Sequence, residues 1–210
     1  MGIRLCSNGM PRSYHLQKRA LRQNETRQRI IDAAVDLHMS LGPARTTVKA
    51  IAERAGVERL TFYRHFPSER DLLWACSRHY MALNPLPEAE AWRKVPDPQA
   101  RLRRALLELF AYYARTENRW VLIGRDRLLR PDLAEFGAAY LERWALMRVI
   151  LQEGWSVRGP RRKLLAAALG HALDFRTWSS LVRQQALSAR EAITLLKALV
   201  ARASGATIAR

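Results

Sequence analysis

Covalent or acid–base catalysis needs groups that converge: a nucleophile beside a base, paired carboxylates, or a cluster of metal ligands. The five histidines, His15, His38, His65, His79 and His171, are scattered along the chain. Cys6 and Cys76 form no C-x-x-C pair, and no His/Cys cluster has metal-ligand spacing. No G-x-S-x-G, H-E-x-x-H or phosphate-binding glycine loop occurs. The sequence therefore predicts no catalytic residue, no metal and no cofactor, and a small helical enzyme is the minor alternative. What the side chains are equipped to do is hold a polyanion. The run TVKAIAERAGVERLTFYRHF, from Thr47 to Phe66, has the spacing of a helix-turn-helix. Such a hairpin needs two short helices crossing closely, a tight turn between them, and a second helix with one polar face. Ala52 is small where the helices must approach, and Gly56 can take the left-handed turn conformation. Ile51, Ala55, Val57 and Phe62 form the expected seam. Arg59, Leu60, Thr61, Tyr63, Arg64 and His65 are left to face a groove or its phosphates.

The charge balance points the same way. The chain has 36 Lys and Arg against 19 Asp and Glu, a formal net charge of +17. Such a balance draws nucleic acid or an anionic surface. Arginine supplies all but five of the basic residues, a skew that genome composition alone can produce. Charge is denser near the N-terminus: the first 66 residues carry twelve basic and five acidic side chains. A non-specific DNA or nucleoid binder resting on charge alone is thus a competing reading, and it predicts no sequence preference. With 49% hydrophobic and 26% charged residues, a folded globular chain is expected. No apolar run approaches the ~20 residues of a membrane span, and the first twenty residues lack the apolar core of a secretory signal. A cytoplasmic protein without a membrane partner is the expectation.

Around the hairpin the pattern is helical nearly throughout, so the fold class is all-α. Residues 1–23 read as a flexible basic arm carrying Arg12, Lys18, Arg19 and Arg22; a solvated tail, or a start at Met10, are the alternatives. Residues 24–66 read as a three-helix DNA-binding domain. Asn24 caps its first helix and Gly42-Pro43 ends it; the second helix is VKAIAERA, and the third runs from about Glu58 to Arg64. Ser68 and Asp71 have the spacing of a capping box for a connecting helix within residues 67–84. Four prolines between Pro85 and Pro98 mark residues 85–100 as a linker. Residues 101–204 read as a larger helical effector-binding and dimerisation domain. Its segments are Arg101 to Thr116, Arg119 to Leu129, Pro131 to about Gly154, Gly159 to about Gln185, and a last helix capped by Ser188 and Glu191.

The stretch from Gln28 to Leu73 resembles the N-terminal domain of the tetracycline-repressor (TetR) family of bacterial regulators. The resemblance is carried by TTVKAIAERAGVERLTFYRHFPSERDLL: Thr47, Ile51-Ala52, Ala55-Gly56-Val57, Thr61, Tyr63, His65-Phe66 and Leu72. It covers about a quarter of the chain and implies a homodimeric repressor reading an approximately palindromic double-stranded operator. By matching position, Lys49, Arg59, Leu60 and Thr61 are the implied base-region contacts, and Thr47, Tyr63 and His65 the implied phosphate contacts. Two positions depart from the family pattern. Glu69 stands where the family commonly has Lys, which repels a phosphate, and Leu60 stands where a small residue is frequent.

The resemblance also implies a small-molecule cavity in the larger domain. Aromatic residues concentrate there, and most of them are expected to be core. The candidate lining is Tyr112, Trp120, Tyr140, Trp144, Phe175 and Trp178, with Asp126, His171 and Asp174 as polar groups that could orient a ligand. LLAAALGHALDF, Leu164 to Phe175, is apolar around much of its circumference, as is the last helix with Ile193, Leu196, Leu199, Val200 and Ala203. The family pairs its last two helices with those of a symmetry mate, which implies a homodimer.

Overall fold

The computed structural model describes residues 12–205. They form helices α1 (Arg12–Ser40), α2 (Val48–Ala55), α3 (Arg59–His65), α4 (Glu69–Leu83), α5 (Pro98–Leu129), α6 (Ala138–Gln152), α7 (Arg161–Ala172), α8 (Phe175–Trp178) and α9 (Ala189–Ser204). No strand occurs among the described residues. The chain divides into two compact units, residues 1–80 and 81–210.

In the first unit Ile30, Ile31, Ala33 and Ala34 of α1 pack with Ile51, Ala52 and Ala55 of α2. The alternation of these apolar positions at three- and four-residue steps gives each helix one buried stripe. Phe62 and Phe66 fill the space below, both fully buried with ring centroids 6.0 Å apart. Leu72, Ala75 and Cys76 of α4 complete the core. The capping box read from the sequence is present. The Asp71 amide donates to the Ser68 Oγ at 3.2 Å, and the Ser68 amide donates to the Asp71 carboxylate at 3.2 Å. Residues 12–23 differ from the expected arm: they are helical and continuous with α1, which runs for 29 residues. Nothing between Arg12 and Asn24 is Gly or Pro, so nothing stops a helix nucleated on the core from propagating outward. Residues 1–11, with Cys6 and Met10, lie outside the described residues.

In the second unit the proline-bearing stretch is no free linker. Residues Ala89–Lys94 form a 3-10 turn that inserts Ala89 and the fully buried Trp92 into the core, with Leu86 alongside. The Trp92 indole donates to Glu108 at 2.7 Å. Arg101 then fixes the stretch from beneath. Its buried guanidinium donates to the carbonyls of Val95, Pro96, Ile150 and Glu153 at 2.9–3.2 Å. A buried arginine is tolerated because its donors are nearly all used.

Three further boundaries differ from expectation. α5 runs unbroken through Glu117-Asn118, because neither residue stops a helix and the buried stripe of Tyr112, Tyr113, Thr116 and Leu122 continues across them. Pro131 opens a 3-10 segment, Pro131–Gly137, before α6 begins. The long helix expected from Gly159 breaks at Asp174, whose extended backbone and side chain cap α8 instead. Ser188 and Glu191 do form the capping box of α9. α7 and α9 pack against each other and bury Leu165, Leu169, Ile193, Leu196 and Val200.

Candidate nucleic-acid interface and effector cavity

The hairpin is held at its corner by one residue. Gly56 has φ +64° and its amide donates to the carbonyls of Ala52 and Glu53, closing α2. That conformation costs an L side chain free energy, so glycine is the residue for it. Thr47 caps the other end of α2, its hydroxyl oxygen accepting from the Ala50 amide at 3.2 Å. The hydroxyl hydrogen stays available to a phosphate. Lys49, two residues on, is exposed and lies 3.9 Å from Glu53.

α3 spans only seven residues, and its register divides it sharply. Phe62 is fully buried and packs edge-on against Tyr63 at 5.4 Å. Arg59, Leu60, Tyr63 and Arg64 are exposed, and Thr61 and His65 half-buried. Leu60 leaves 77% of its surface in solvent. Burial holds the His65 imidazole below its ordinary pKa, and Arg64 and Arg27 reinforce this by charge repulsion. Arg27 lies over the Phe66 ring at 4.7 Å. The basic turns of α1 come down beside this helix. Lys18, Arg19 and Arg22 line a cleft of ≈ 450 Å³ together with Thr61, Arg64 and His65, and no carboxylate lines it.

The second unit holds a cavity of ≈ 350 Å³. Trp120 and Phe175 stack in its wall, centroids 5.7 Å apart and planes 24° from parallel. Tyr113 and Trp144 flank them, with Trp144 5.6 Å from Trp120. The Tyr113 hydroxyl donates to the Leu173 carbonyl at 2.6 Å, and burial pushes its pKa well above the usual phenol value. It is a neutral group at any physiological pH.

Residues 30–76 match the family model described as bacterial regulatory proteins, tetR family. Over these residues the chain carries the N-terminal domain that the TetR family model describes. The TtgR transcriptional regulator of Pseudomonas putida is 37% identical over 110 residues, which cover 52% of this chain and 49% of that protein. The SrpR regulator of the same species is 42% identical over 59 residues, 28% of each chain. The matched segments thus span about a quarter to a half of these relatives. Two solved structures extend the likeness to the fold of nearly the whole chain. A TetR-like regulator from a Rhodococcus species superposes with a TM-score of 0.60, covering 87% of this chain and 97% of its own at 22% identity. A TetR-family structure from Mesorhizobium loti gives 0.61 at 18% identity, with 88% and 97% covered.

Against the TetR pattern, all seven candidate DNA contacts fall on one short stretch of α2 and α3, Thr47 at the cap and the rest exposed or half-buried. The cationic cleft went unread in the sequence, because an arm has no fixed neighbours and only a helical α1 brings Lys18 and Arg22 beside Arg64. Of the candidate cavity residues, Trp120, Tyr140, Trp144, Asp174 and Phe175 line it. Four do not. Tyr112 and Trp178 are core, covered by Arg115 and Arg183. Asp126 is buried against Arg125 at 2.7 Å, and His171 is exposed beside Thr177. Arg119, Arg127 and Arg176 line the cavity and were missed. Arginines are so frequent here that none stands out along the chain. Among the described residues no group of His, Cys, Asp and Glu could hold a metal, and no helix is long and apolar enough to cross a membrane.

Proposed function

We propose that this chain is a sequence-specific, DNA-binding transcriptional regulator that acts as a homodimeric, ligand-responsive repressor on an approximately palindromic operator. The observation that carries the reading is α3 itself: a seven-residue helix anchored by fully buried Phe62 that turns Arg59, Leu60, Tyr63 and Arg64 outward. In this assignment Lys49, Arg59, Leu60 and Thr61 meet base edges. Arginine gives paired donors to guanine, and an exposed leucine suits a thymine methyl. Thr47, Tyr63 and His65 meet phosphates, which fix register without reading sequence. The curated relatives are named as transcriptional regulators, which supports the same reading.

The dimer follows from surface and from need. On α7 and α9 the exposed side chains include Leu164, Leu195 and Leu199, apolar groups that a partner copy would cover. One short reading helix contacts few bases, and a twofold pair with half-sites roughly 34–36 Å apart reads enough to specify an operator. The cavity would take the effector, coupled to DNA by about 1–3 kcal/mol. The domain plan proposed with it is a DNA-binding domain ending near Phe66, α4 as the connection, and the remaining helices for effector and partner.

Selection of bound fragments from the source organism's own DNA tests the reading. The expected result is an enriched inverted repeat protected by a dimer. Retained fragments with no shared sequence would instead favour the charge-driven, non-specific binder that the net charge of +17 also allows.

A further inference from the structure

The cavity of the second unit combines three features that together specify a ligand chemistry, and this inference rests on the proposed reading of that cavity as an effector site. Its walls are flat and aromatic. Trp120 and Phe175 are stacked at 5.7 Å, and Trp144 stands beside them at 6.1 Å from Tyr140. A volume of ≈ 350 Å³ lies at the lower end of small-molecule sites and suits a few fused or linked rings. Its charge is lopsided. Three arginines, Arg119, Arg127 and Arg176, line it against one carboxylate, Asp174. Asp174 is already engaged, accepting the Arg176 amide at 2.6 Å as the cap of α8. Arg119 lies over the Tyr140 ring at 5.3 Å. The guanidinium groups of Arg127 and Arg176 are paired with no carboxylate among the described residues. Elsewhere in this unit exposed arginines do find such partners: Arg93 and Arg183 each hold a glutamate at 2.8–3.2 Å. Finally, Tyr140 in the same wall is 7% exposed and carries a buried hydroxyl with no hydrogen-bond partner in the protein. Buried polar atoms without partners are rare and costly, and a ligand acceptor would satisfy this one.

We infer that the cavity takes a planar aromatic acid: its rings enter the Trp120–Phe175–Trp144 wall and its anionic group meets Arg127 and Arg176. A neutral aromatic would gain the stacking but leave both guanidiniums facing an apolar ring. An aromatic amine would add a further cation to a rim that is already positive. Guanidinium forks match a carboxylate in two parallel hydrogen bonds, which fixes orientation as well as charge.

Calorimetric titration of the full-length protein with 2-naphthoate, 2-naphthamide and 2-naphthylmethylammonium separates the possibilities, because the three share rings and differ in charge. The acid is expected to bind at least tenfold more tightly than the amide, and the ammonium most weakly. The R127A/R176A double variant changes exposed side chains only. It should bring the acid to within about threefold of the amide while leaving amide affinity unchanged. Y140F, which keeps the ring and so the packing, should weaken binding of the acid severalfold. If amide and acid bind equally, or the ammonium binds best, the anionic assignment is overturned and the effector cavity stands. If none of the three binds, the assignment and the reading of this cavity as an effector site fall together.

Discussion

The amide of Val57 donates to the carbonyl of Ala52 at 3.0 Å, across Gly56. This bond reverses the chain in a single residue and sets where α3 begins relative to α2. It exists only because Gly56 sits at φ +64°, and the nearest atom to a Cβ built there is the Arg29 guanidinium at 3.9 Å. Space is therefore available, and strain alone opposes a side chain. Gly56→Ala is expected to destabilise the first unit by about 1–2 kcal/mol, the cost of an L residue in the left-handed region. A lower urea midpoint with an unchanged slope would show this; an unchanged midpoint would mean the turn relaxes freely.

Arg59 and Tyr63 are expected to behave differently although they are a turn apart. Arg59→Ala should narrow the gap between operator and mismatched sites by about 1–3 kcal/mol, because a base reader contributes to one sequence and not to others. Tyr63→Phe removes the hydroxyl proposed to meet a phosphate and should weaken all sequences alike. Fluorescence anisotropy on a set of single-base variants distinguishes them. Equal losses on every sequence for Arg59→Ala would remove it from the base-reading set.

Much of this site was legible in the sequence because its parts are local. A cap, a left-handed glycine and a two-phenylalanine anchor all lie within twenty residues, and α2 came out at the expected residues. The larger unit was read less well because its boundaries depend on tertiary contacts. Pro85 to Pro98 has the composition of a linker, yet Trp92 and Arg101 draw it into the core through partners as distant as Ile150. Asp174 ends a helix that its apolar neighbours would have continued, since its carboxylate finds the Arg176 amide. The aromatic richness of this unit was visible, but not which rings face a cavity. Tyr112 and Tyr113 are adjacent in sequence, and only Tyr113 lines it.

His65 gives a pH dependence with a definite sign. In the free protein its pKa is held down by burial and by Arg64 and Arg27, so the folded state prefers the neutral ring. Its contribution to stability is therefore complete above its unfolded pKa near 6.5 and is lost as pH falls toward the lowered folded value. A phosphate bound beside it, as proposed, would offset the positive neighbours and stabilise the imidazolium, so binding would take up a proton. Operator affinity, corrected for stability, should rise as pH falls through this range. His65→Gln should remove that component. A pH profile unchanged by the substitution would mean that His65 does not meet a phosphate.

The cleft between α1 and α3 predicts an effect on salt dependence that a solvated tail would not produce. Lys18, Arg19 and Arg22 are presented by a continuous helix, beside Arg64 and His65, with no carboxylate in the lining. Cations fixed in this way can neutralise a phosphate outside the span that α3 covers, which would make good the clamp lost where Glu69 replaces the common lysine. Each phosphate neutralised contributes roughly 0.9 to the slope of log affinity against log salt. A Lys18→Ala, Arg22→Ala double variant should therefore lower that slope by about one per protomer and weaken operator and random DNA equally. Neither residue is part of the core, so the melting temperature should hold. Two outcomes would remove the cleft from the interface: an unchanged slope between low and moderate salt, or a loss confined to the operator.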